Sequence, residues 1–455
     1  MPDGSPAGAL GRRVLIADTR LETREIAQHV EAALLARGYG VQMLGAAAQK
    51  TEGQQDNEAR PSGRLKGLLF GSLLIRSVAL ALRIAFERSR LAASLETIEP
   101  VAIIIFDDRP LMPNYVLRML ALGRNMPVVL IPFAVSTLES DVKLREDKPA
   151  HQLGRGPGRW LKSLIARWWP NQTHVESGAG FLFHNVWDTA ALIFCGMLPQ
   201  NPWYVGGSRP ELVCAAGADQ RAYFLQAGLS EDRIVLTGLP SLDELAESGK
   251  TAEVLRRALI AKYDLTGERA LVVCAVPQYA EHGYLDWESH KKLTLELFET
   301  LAGSGANVLL SLHPKSQRSS YEEQAAACGL PILDERLAEI LAAADLLVGT
   351  FSSTVGWAVG LGIPAFVAAT IHSDYQLYRD MPGVVVVEDH AALAGVLSRF
   401  VRDQDFRTGL SAAAKQGANR VGRLDGRASE RVASAIDQIV GSRVNMLVSG
   451  NSNVR

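Results

Sequence analysis

The sequence predicts an α/β protein made of two doubly wound parallel-sheet halves facing each other across a cleft. Three observations carry this. Short apolar runs recur along the chain, among them RVLIAD, VAIIIF, PVVLIPF, ELVCAA, RALVVCAV, ANVLLSL, DLLVGT, IPAFVA and VVVVED. They are rich in Val, Leu and Ile and do not alternate with polar residues, the mark of strands covered on both faces. Segments of helical spacing separate them, as in a parallel sheet wrapped by helices. The third observation is length: 455 residues are ample for two such halves.

Composition narrows the functional classes. Apolar residues at 47% and charged residues at 21% are ordinary globular usage, which excludes a disordered, collagenous or coiled-coil chain. A formal charge of −2 leaves no global positive field for nucleic acid, so no nucleic-acid partner is expected. Cys195, Cys214, Cys274 and Cys328 form no CxxC pair, against a zinc cluster or disulfide framework and in keeping with a reducing compartment. The leading MPDGSPAGALGRR lacks the basic-then-apolar order of a secretion signal, so the expected location is cytoplasmic.

In order, Arg12 to Thr19 reads as a strand, Leu21 to Arg37 as a helix closed by Gly38 and Gly40, and GVQMLG as a second strand. Residues 46–63 are a polar loop. Leu65 to Leu95 is a long apolar helix, interrupted by Arg76 and Arg83 and so too short between charges to cross a bilayer. Val101 to Asp108 is a buried strand, Pro113 to Leu122 a helix, PVVLIPF a strand. A basic, Trp-rich segment at 155–170 interrupts the alternation, which then resumes with ELVCAAG, a helix at Ala218 to Ala227, DRIVLTG and a helix from Ser241. A charged helix, Thr251 to Tyr263, leads into the second series, with helices at Lys291 to Ala302, Ser320 to Cys328 and Ala338 to Ala343, and LPILD as a further strand. The expected domains are 11–245, the acceptor side, and 246–441, the nucleotide-donor side, with 442–455 a disordered tail.

Candidate chemistry gathers after strands. In GTFSSTVGWAVGLGIP an apolar strand ends in Ser352, Ser353 and Thr354 and opens a helix, whose first turn these hydroxyls can cap and whose N–H groups can receive a phosphate. In SLHPKSQ, His313, Pro314 and Lys315 follow another buried strand and present donors to a phosphoryl oxygen. Asp107 and Asp108, at a strand's carboxyl end, are candidates for the base that deprotonates an acceptor hydroxyl, and Glu281 and His282 are candidates from the second half. His184 and Asp188, one helical turn apart, can pair. LPQNPWYVGGSRPE is a turn-rich loop suited to lining a cleft. No Asp-x-Asp triplet follows a strand, Asp286 and Glu288 read as solvated loop carboxylates, and no metal or other cofactor is expected.

Arg64, Lys66, Arg76, Arg83, Arg88 and Arg90 flank apolar helix residues, and Trp160, Trp168 and Trp169 sit among Arg155, Arg159, Lys162 and Arg167. Cations beside indoles suit a peripheral contact with an anionic bilayer, expected on the cytoplasmic face of the inner membrane.

The pairs His313-Pro314 and Ser352-Ser353, each after a strand of the C-terminal half, resemble the HP and SS motifs of bacterial polysialyltransferases and CDP-glycerol glycerophosphotransferases. DYQLYRDMPG, from Asp374 to Gly383, is similar to the Tyr-Arg-Asp segment of the latter and adds Tyr378 to the set. The resemblance implies a GT-B-like fold of two Rossmann-type domains in which these motifs hold the phosphate and nucleotide of a cytidine donor. A wider resemblance over residues 100–370 is to nonhydrolysing UDP-N-acetylglucosamine 2-epimerases, although the epimerase Glu, its His-Arg-Arg-Glu-Asn motif and its Gly-Gly-x-x-Glu-Glu turn are absent. The function implied is a metal-independent, inverting glycosyltransferase. It uses a CMP- or CDP-type nucleotide-activated donor, or UDP, to transfer a sugar, or less readily a polyol phosphate, to a surface glycan or lipid-linked glycan. A 2-epimerase-like enzyme and a noncatalytic nucleotide-sugar-binding scaffold are the alternatives.

Overall fold

The computed structural model describes residues 12–17, 23–44, 68–109, 114–132, 138–350, 352–371 and 378–451. The polar loop 46–63, Arg64 and Lys66 lie outside them. The chain forms two compact units, the first drawn from 1–215, 220–236 and 429–455, the second from 216–219 and 237–428.

The first unit holds a six-stranded sheet of β1 (Arg13–Ile16), β2 (Gly40–Met43), β3 (Ala102–Ile105), β4 (Val128–Leu130), β7 (Leu212–Ala215) and β8 (Ile234–Leu236), in the order β2-β1-β3-β4-β7-β8. Every pairing in it is parallel. Side chains of β1, β3, β4 and β7 pack with Ile84, Leu91 and Leu95 of the helix Leu68–Ile98 and with Tyr115, Val116 and Leu120 of the helix Asn114–Gly123. An antiparallel hairpin, β5 (Thr173–Glu176) and β6 (Ala179–Leu182), was not anticipated from the sequence. Its turn, Ser177-Gly178, takes positive φ at both residues, the geometry that matches a two-residue hairpin to the strand twist.

The second unit holds β9 (Leu271–Ala275), β10 (Asn307–Ser311), β11 (Leu346–Gly349), β12 (Ala365–Ala368) and β13 (Val384–Val387), in the order β10-β9-β11-β12-β13 and parallel throughout. Its strands alternate between two cores. Val272, Cys274, Leu310, Val348 and Phe366 enter one, while Leu271, Val273, Leu309, Leu347 and Val367 enter the other. This is why the runs are apolar without alternation.

Three expectations are corrected. The boundary falls at Thr237, not 246, because Leu242 and Leu245 are buried in the second unit's core. LPILD makes a single parallel bridge, Leu310 to Ile332, and no strand, since Pro331 cannot donate to a ladder. The last helix, Ala428–Asn451, runs past Gly441 through most of the expected tail, with no proline to stop it. From Ser429 onward it belongs to the first unit, where Asp437 receives the Arg37 guanidinium and the Tyr39 hydroxyl, each at 2.6 Å.

Candidate active site

In the second sheet the strand order reverses between β9 and β11. At such a switch point the loops at the carboxyl ends of the strands diverge and leave a crevice. Glu281 and His282 follow β9, Ser352 to Thr354 follow β11, and His313 to Lys315 follow β10, the strand beside β9. After β10, Ser316 N donates to the His313 carbonyl (2.8 Å), closing a tight turn with Pro314 in its second position. Lys315 N donates to His313 Nδ1 at 3.1 Å. Nδ1 is thereby an acceptor, which assigns the proton of a neutral ring to Nε2. Burial first, and then the nearby charges of Lys315 and His282, hold the imidazole pKa below its ordinary value, so it is neutral at pH 7.

After β9, the Gln278 amide donates to Ser316 Oγ (3.0 Å), and Ser316 Oγ donates to Glu281 Oε1 (3.0 Å). The same carboxylate oxygen accepts the Tyr321 hydroxyl at 2.6 Å, and His290 Nε2 lies 3.0 Å from that hydroxyl. Burial acts to raise the Glu281 pKa, yet donation from Tyr321 and Ser316 and the proximity of His290 hold it below the usual carboxylate range. Glu281 is thus held as an anion that fixes the His313 turn through Oε1, while its Oε2 is buried and has no hydrogen-bond partner among the described residues. His282 is exposed, close enough to affect His313 electrostatically.

After β11, Ser352 Oγ accepts from Thr354 N (3.2 Å) and from the Thr354 hydroxyl (2.7 Å). Ser352 is the capping side chain; Ser353, at the formal N-cap, is exposed and makes no side-chain cap bond. The helix it opens, Thr354–Gly360, has seven residues and so only a short dipole. Tyr378 OH donates to the Ser352 carbonyl at 3.1 Å. The buried Tyr279 hydroxyl lies near Thr350 after β11 and Thr370 after β12. Gln278, Tyr279, His290, Ser316 and Tyr321 were not singled out from the sequence, because only the fold brings the β9 and β10 loops together. Asp286 caps the helix Trp287–Ala302 through Ser289 N (2.8 Å).

In the first sheet the order reverses between β1 and β3, and Asp107 and Asp108 follow β3. Asp108 is 2% exposed, and its two oxygens accept Gly206 N (2.8 Å) and Ser208 N (2.9 Å). It anchors the glycine-rich loop with both oxygens engaged, and burial pushes its pKa above the usual carboxylate value. Asp107 accepts from Arg109 N (3.0 Å) and Nε (3.3 Å), and the chain continues to Asp141 and Arg145. The Arg145 guanidinium lies over Phe183 at 4.0 Å. His184 and Asp188 do not pair: Asp188 accepts from the Asn185 amide (2.5 Å), while burial first and then Arg145 drive the His184 pKa down to about 3. Lys162, expected among the interfacial cations, is fully buried and donates to the Pro149, Gln152 and Arg155 carbonyls at 2.6, 2.8 and 2.7 Å.

Among the described residues no group of three or more His, Cys, Asp or Glu is arranged to hold a metal ion, and no helix is long and apolar enough to cross a membrane. Two Rossmann-type parallel sheets, each with its polar residues at a switch point, define a GT-B-like protein. Solved structures of the same fold agree. UDP-bound MnaA from S. aureus is 10% identical with a TM-score of 0.54 over 94% of this chain and 97% of that one. The UDP-GlcNAc-bound 2-epimerase of Neisseria meningitidis is 12% identical with a TM-score of 0.53 over 94% and 100%. A glycosyltransferase from Rickettsia africae is 10% identical with a TM-score of 0.50 over 94% and 98%. A search of curated protein sequences finds no match. Residues 212–438 match the CDP-glycerol:poly(glycerophosphate) glycerophosphotransferase family, and through that stretch, which spans β7 to the last helix, the chain belongs to it. The reading of the chain as a transferase of a nucleotide-activated donor is borne out.

Proposed function

We propose that the second unit binds a CDP-linked donor and that the chain transfers its activated group to a hydroxyl of a growing surface polymer. The family's own description, glycerophosphate transfer from CDP-glycerol, moves a polyol phosphate ahead of a sugar as the transferred group. In that reaction the acceptor oxygen forms a bond to the distal phosphorus, the bond from that phosphorus to the bridging oxygen breaks, and CMP leaves with the electron pair. The observation that carries the proposal is His313: a neutral ring whose Nδ1 is held by Lys315 N, leaving the Nε2–H as a donor beyond the carboxyl end of β10, the strand beside β9. That hydrogen bond and the Lys315 ammonium would stabilise the charge growing on CMP, so no metal ion is required. His282, exposed beside His313, is the proposed base that takes the acceptor proton.

The acceptor side of the proposal is a lipid-linked glycan or polyol chain met at the cytoplasmic face of a membrane. Trp160 (68% exposed), Leu164 (43%) and Trp168 (69%) recur every four residues along one face of the helix Arg159–Trp168, with Arg159 and Arg167 beside them. An apolar stripe flanked by cations fits an anionic interface, and Arg83, Arg88 and Arg90 are exposed on the helix Leu68–Ile98.

The test is a thermal-shift titration with CMP, CDP, UDP, GDP and ADP. Selective stabilisation by cytidine nucleotides, lost in His313→Ala, is the expected result; ligand at about 100 times its Kd gives about 2.7 kcal/mol. Selective UDP stabilisation would turn the reading to an epimerase-like enzyme, and no shift with any nucleotide to a noncatalytic scaffold.

A further inference from the structure

The first unit contains a groove of about 400 Å3 that none of the preceding chemistry uses. Its walls are Trp168, Trp169 and Pro170 on one side, Leu198 to Asn201 on the other, with Asn171, Arg209 and Ala227 completing it. Arg209 lies three residues before β7, and Ala227 follows the helix Ala218–Gln226 and begins the segment leading to β8. The groove is therefore near the amino ends of these strands, whereas Asp107 and Asp108 follow the carboxyl end of β3. A volume of this size is typical of small-molecule sites.

The walls are built to hold their shape. Gln172 is buried, and its side-chain amide donates to the Pro199 carbonyl, tying one wall to the other. Asn201 N donates to Gly207 O at 3.2 Å, and a Cβ on Gly207 would sit 1.7 Å from the Asn201 carbonyl, so only glycine allows this approach. Arg209 has a left-handed backbone (φ 54), a costly conformation for a residue of its kind. Its carbonyl is gripped by the guanidinium groups of Arg118 (2.7 Å) and Arg233 (3.3 Å).

What those contacts hold in place is the Arg209 side chain, which is exposed and makes no hydrogen bond or ion pair among the described residues. Asn171 and Gln200 are likewise exposed, with no side-chain bond there. Among the described residues the three cations Arg118, Arg209 and Arg233 are answered by Glu211, 3.4 Å from Arg118, and by the nearby Asp108 carboxylate. An excess of cations favours an anion, and indole faces beside amides favour a sugar ring, whose C–H face stacks while its hydroxyls accept and donate.

We infer that this groove is a binding site for a phosphorylated saccharide: a ring against Trp168 and Trp169, its hydroxyls toward Asn171 and Gln200, and its phosphate on Arg209. The inference deepens the proposed acceptor and rests on that reading for the ligand's origin. The groove opens at the end of the Trp160–Leu164–Trp168 stripe, so a chain carried at the bilayer surface would meet it at its phosphate-bearing end.

The experiment uses the full chain and three probes, glucose 1-phosphate, glucose and inorganic phosphate, with calorimetry for affinity and saturation-transfer NMR for ring protons. Glucose 1-phosphate should bind at least about tenfold more tightly than either part alone, a difference of about 1.4 kcal/mol. Arg209→Asn removes the guanidinium while suiting the left-handed backbone, so it should fold and lose the preference for the phosphorylated sugar. Gln200→Ala, at an exposed position, should weaken binding without changing that preference, and Trp169→Ala should abolish the ring-proton signal. CMP binding should survive all three. Equal binding of glucose 1-phosphate by Arg209→Asn and the parent chain would overturn the inference. So would phosphate binding as tightly as glucose 1-phosphate, or burial of the tryptophans by phosphatidylglycerol vesicles with no response to the sugar phosphate. Loss of CMP binding with sugar-phosphate binding retained would instead sink the donor reading and leave the groove standing.

Discussion

Replacing Lys162 by Met tests how the segment carrying the exposed tryptophans is held. The ammonium is fully buried and donates to three carbonyls at 2.6 to 2.8 Å, with no carboxylate bonded to it. Hydrogen bonds from a charged group contribute about 1.5–3 kcal/mol each, and burying the ion costs several kcal/mol in return. Methionine fills a similar volume but leaves the Pro149, Gln152 and Arg155 carbonyls without their donor, so a net loss of about 3 kcal/mol is expected. For a unit of this size each kcal/mol moves the midpoint by about 2–4 °C, which predicts a fall of about 6–12 °C in Tm. Differential scanning calorimetry at pH 7 reads it, and the CMP affinity proposed for the second unit should be unchanged. A midpoint within about 1 °C of the parent chain would show that the three bonds only cancel the cost of burial. The pH dependence gives a second check. Burial lowers the Lys162 pKa from 10.5 to about 8, so the unfolded chain binds more protons between those values and this residue's contribution to stability rises across that window.

Further outcomes follow from the second unit. His313→Ala should weaken cytidine-nucleotide binding by about ten- to a hundredfold, the loss of one or two charge-assisted bonds, and His313→Gln should recover part of it; isothermal calorimetry distinguishes them. Because burial and the Lys315 and His282 charges hold the His313 pKa below 6.5, protonation of His313, which keeps the Nε2–H donor and adds a positive charge beside the phosphate, should tighten nucleotide binding only below pH 6.5. Glu281 has a lowered pKa, so its stabilising contribution is present above 4.5 and is lost as pH falls below it; Glu281→Gln should flatten that acid limb in thermal melts. Asp108→Asn would turn an amide N–H toward Gly206 N or Ser208 N and should cost about 1–3 kcal/mol in chemical denaturation. Activity measured with and without EDTA should be equal; a loss rescued by a divalent cation would refute the metal-independent reading.

The parallel sheets were legible because a strand buried on both faces leaves an unbroken apolar run, as at β9 and β11, and a strand's end is where polar residues begin. His313 and Ser352 were found on that basis. The partners that fix them were not, since Tyr321 and Glu281 are 40 residues apart and meet only because β9 and β10 are neighbours. Asp107 and Asp108 were correctly placed at a sheet edge, but sequence carries no sign that the Gly206–Ser208 loop folds back onto Asp108. The hairpin β5–β6 was missed because THVE and AGFL are short and one face is solvated. Lys162 looked like its basic neighbours; only the carbonyls of the preceding loop distinguish it.

The return of the last helix to the first unit bears on how the chain is made. Arg37 and Tyr39 leave the ribosome roughly 400 residues before Asp437, the carboxylate that binds them both. The amino-terminal unit must therefore wait, incomplete, while the whole second unit is synthesised. Expressing the matched stretch alone would leave Val432 and Ile436 without the surfaces that bury them, and stopping translation after Arg427 would leave those surfaces uncovered. In such a chain the halves are not interchangeable cassettes, and a swap between homologues has to carry the carboxyl-terminal helix along with the amino-terminal sheet.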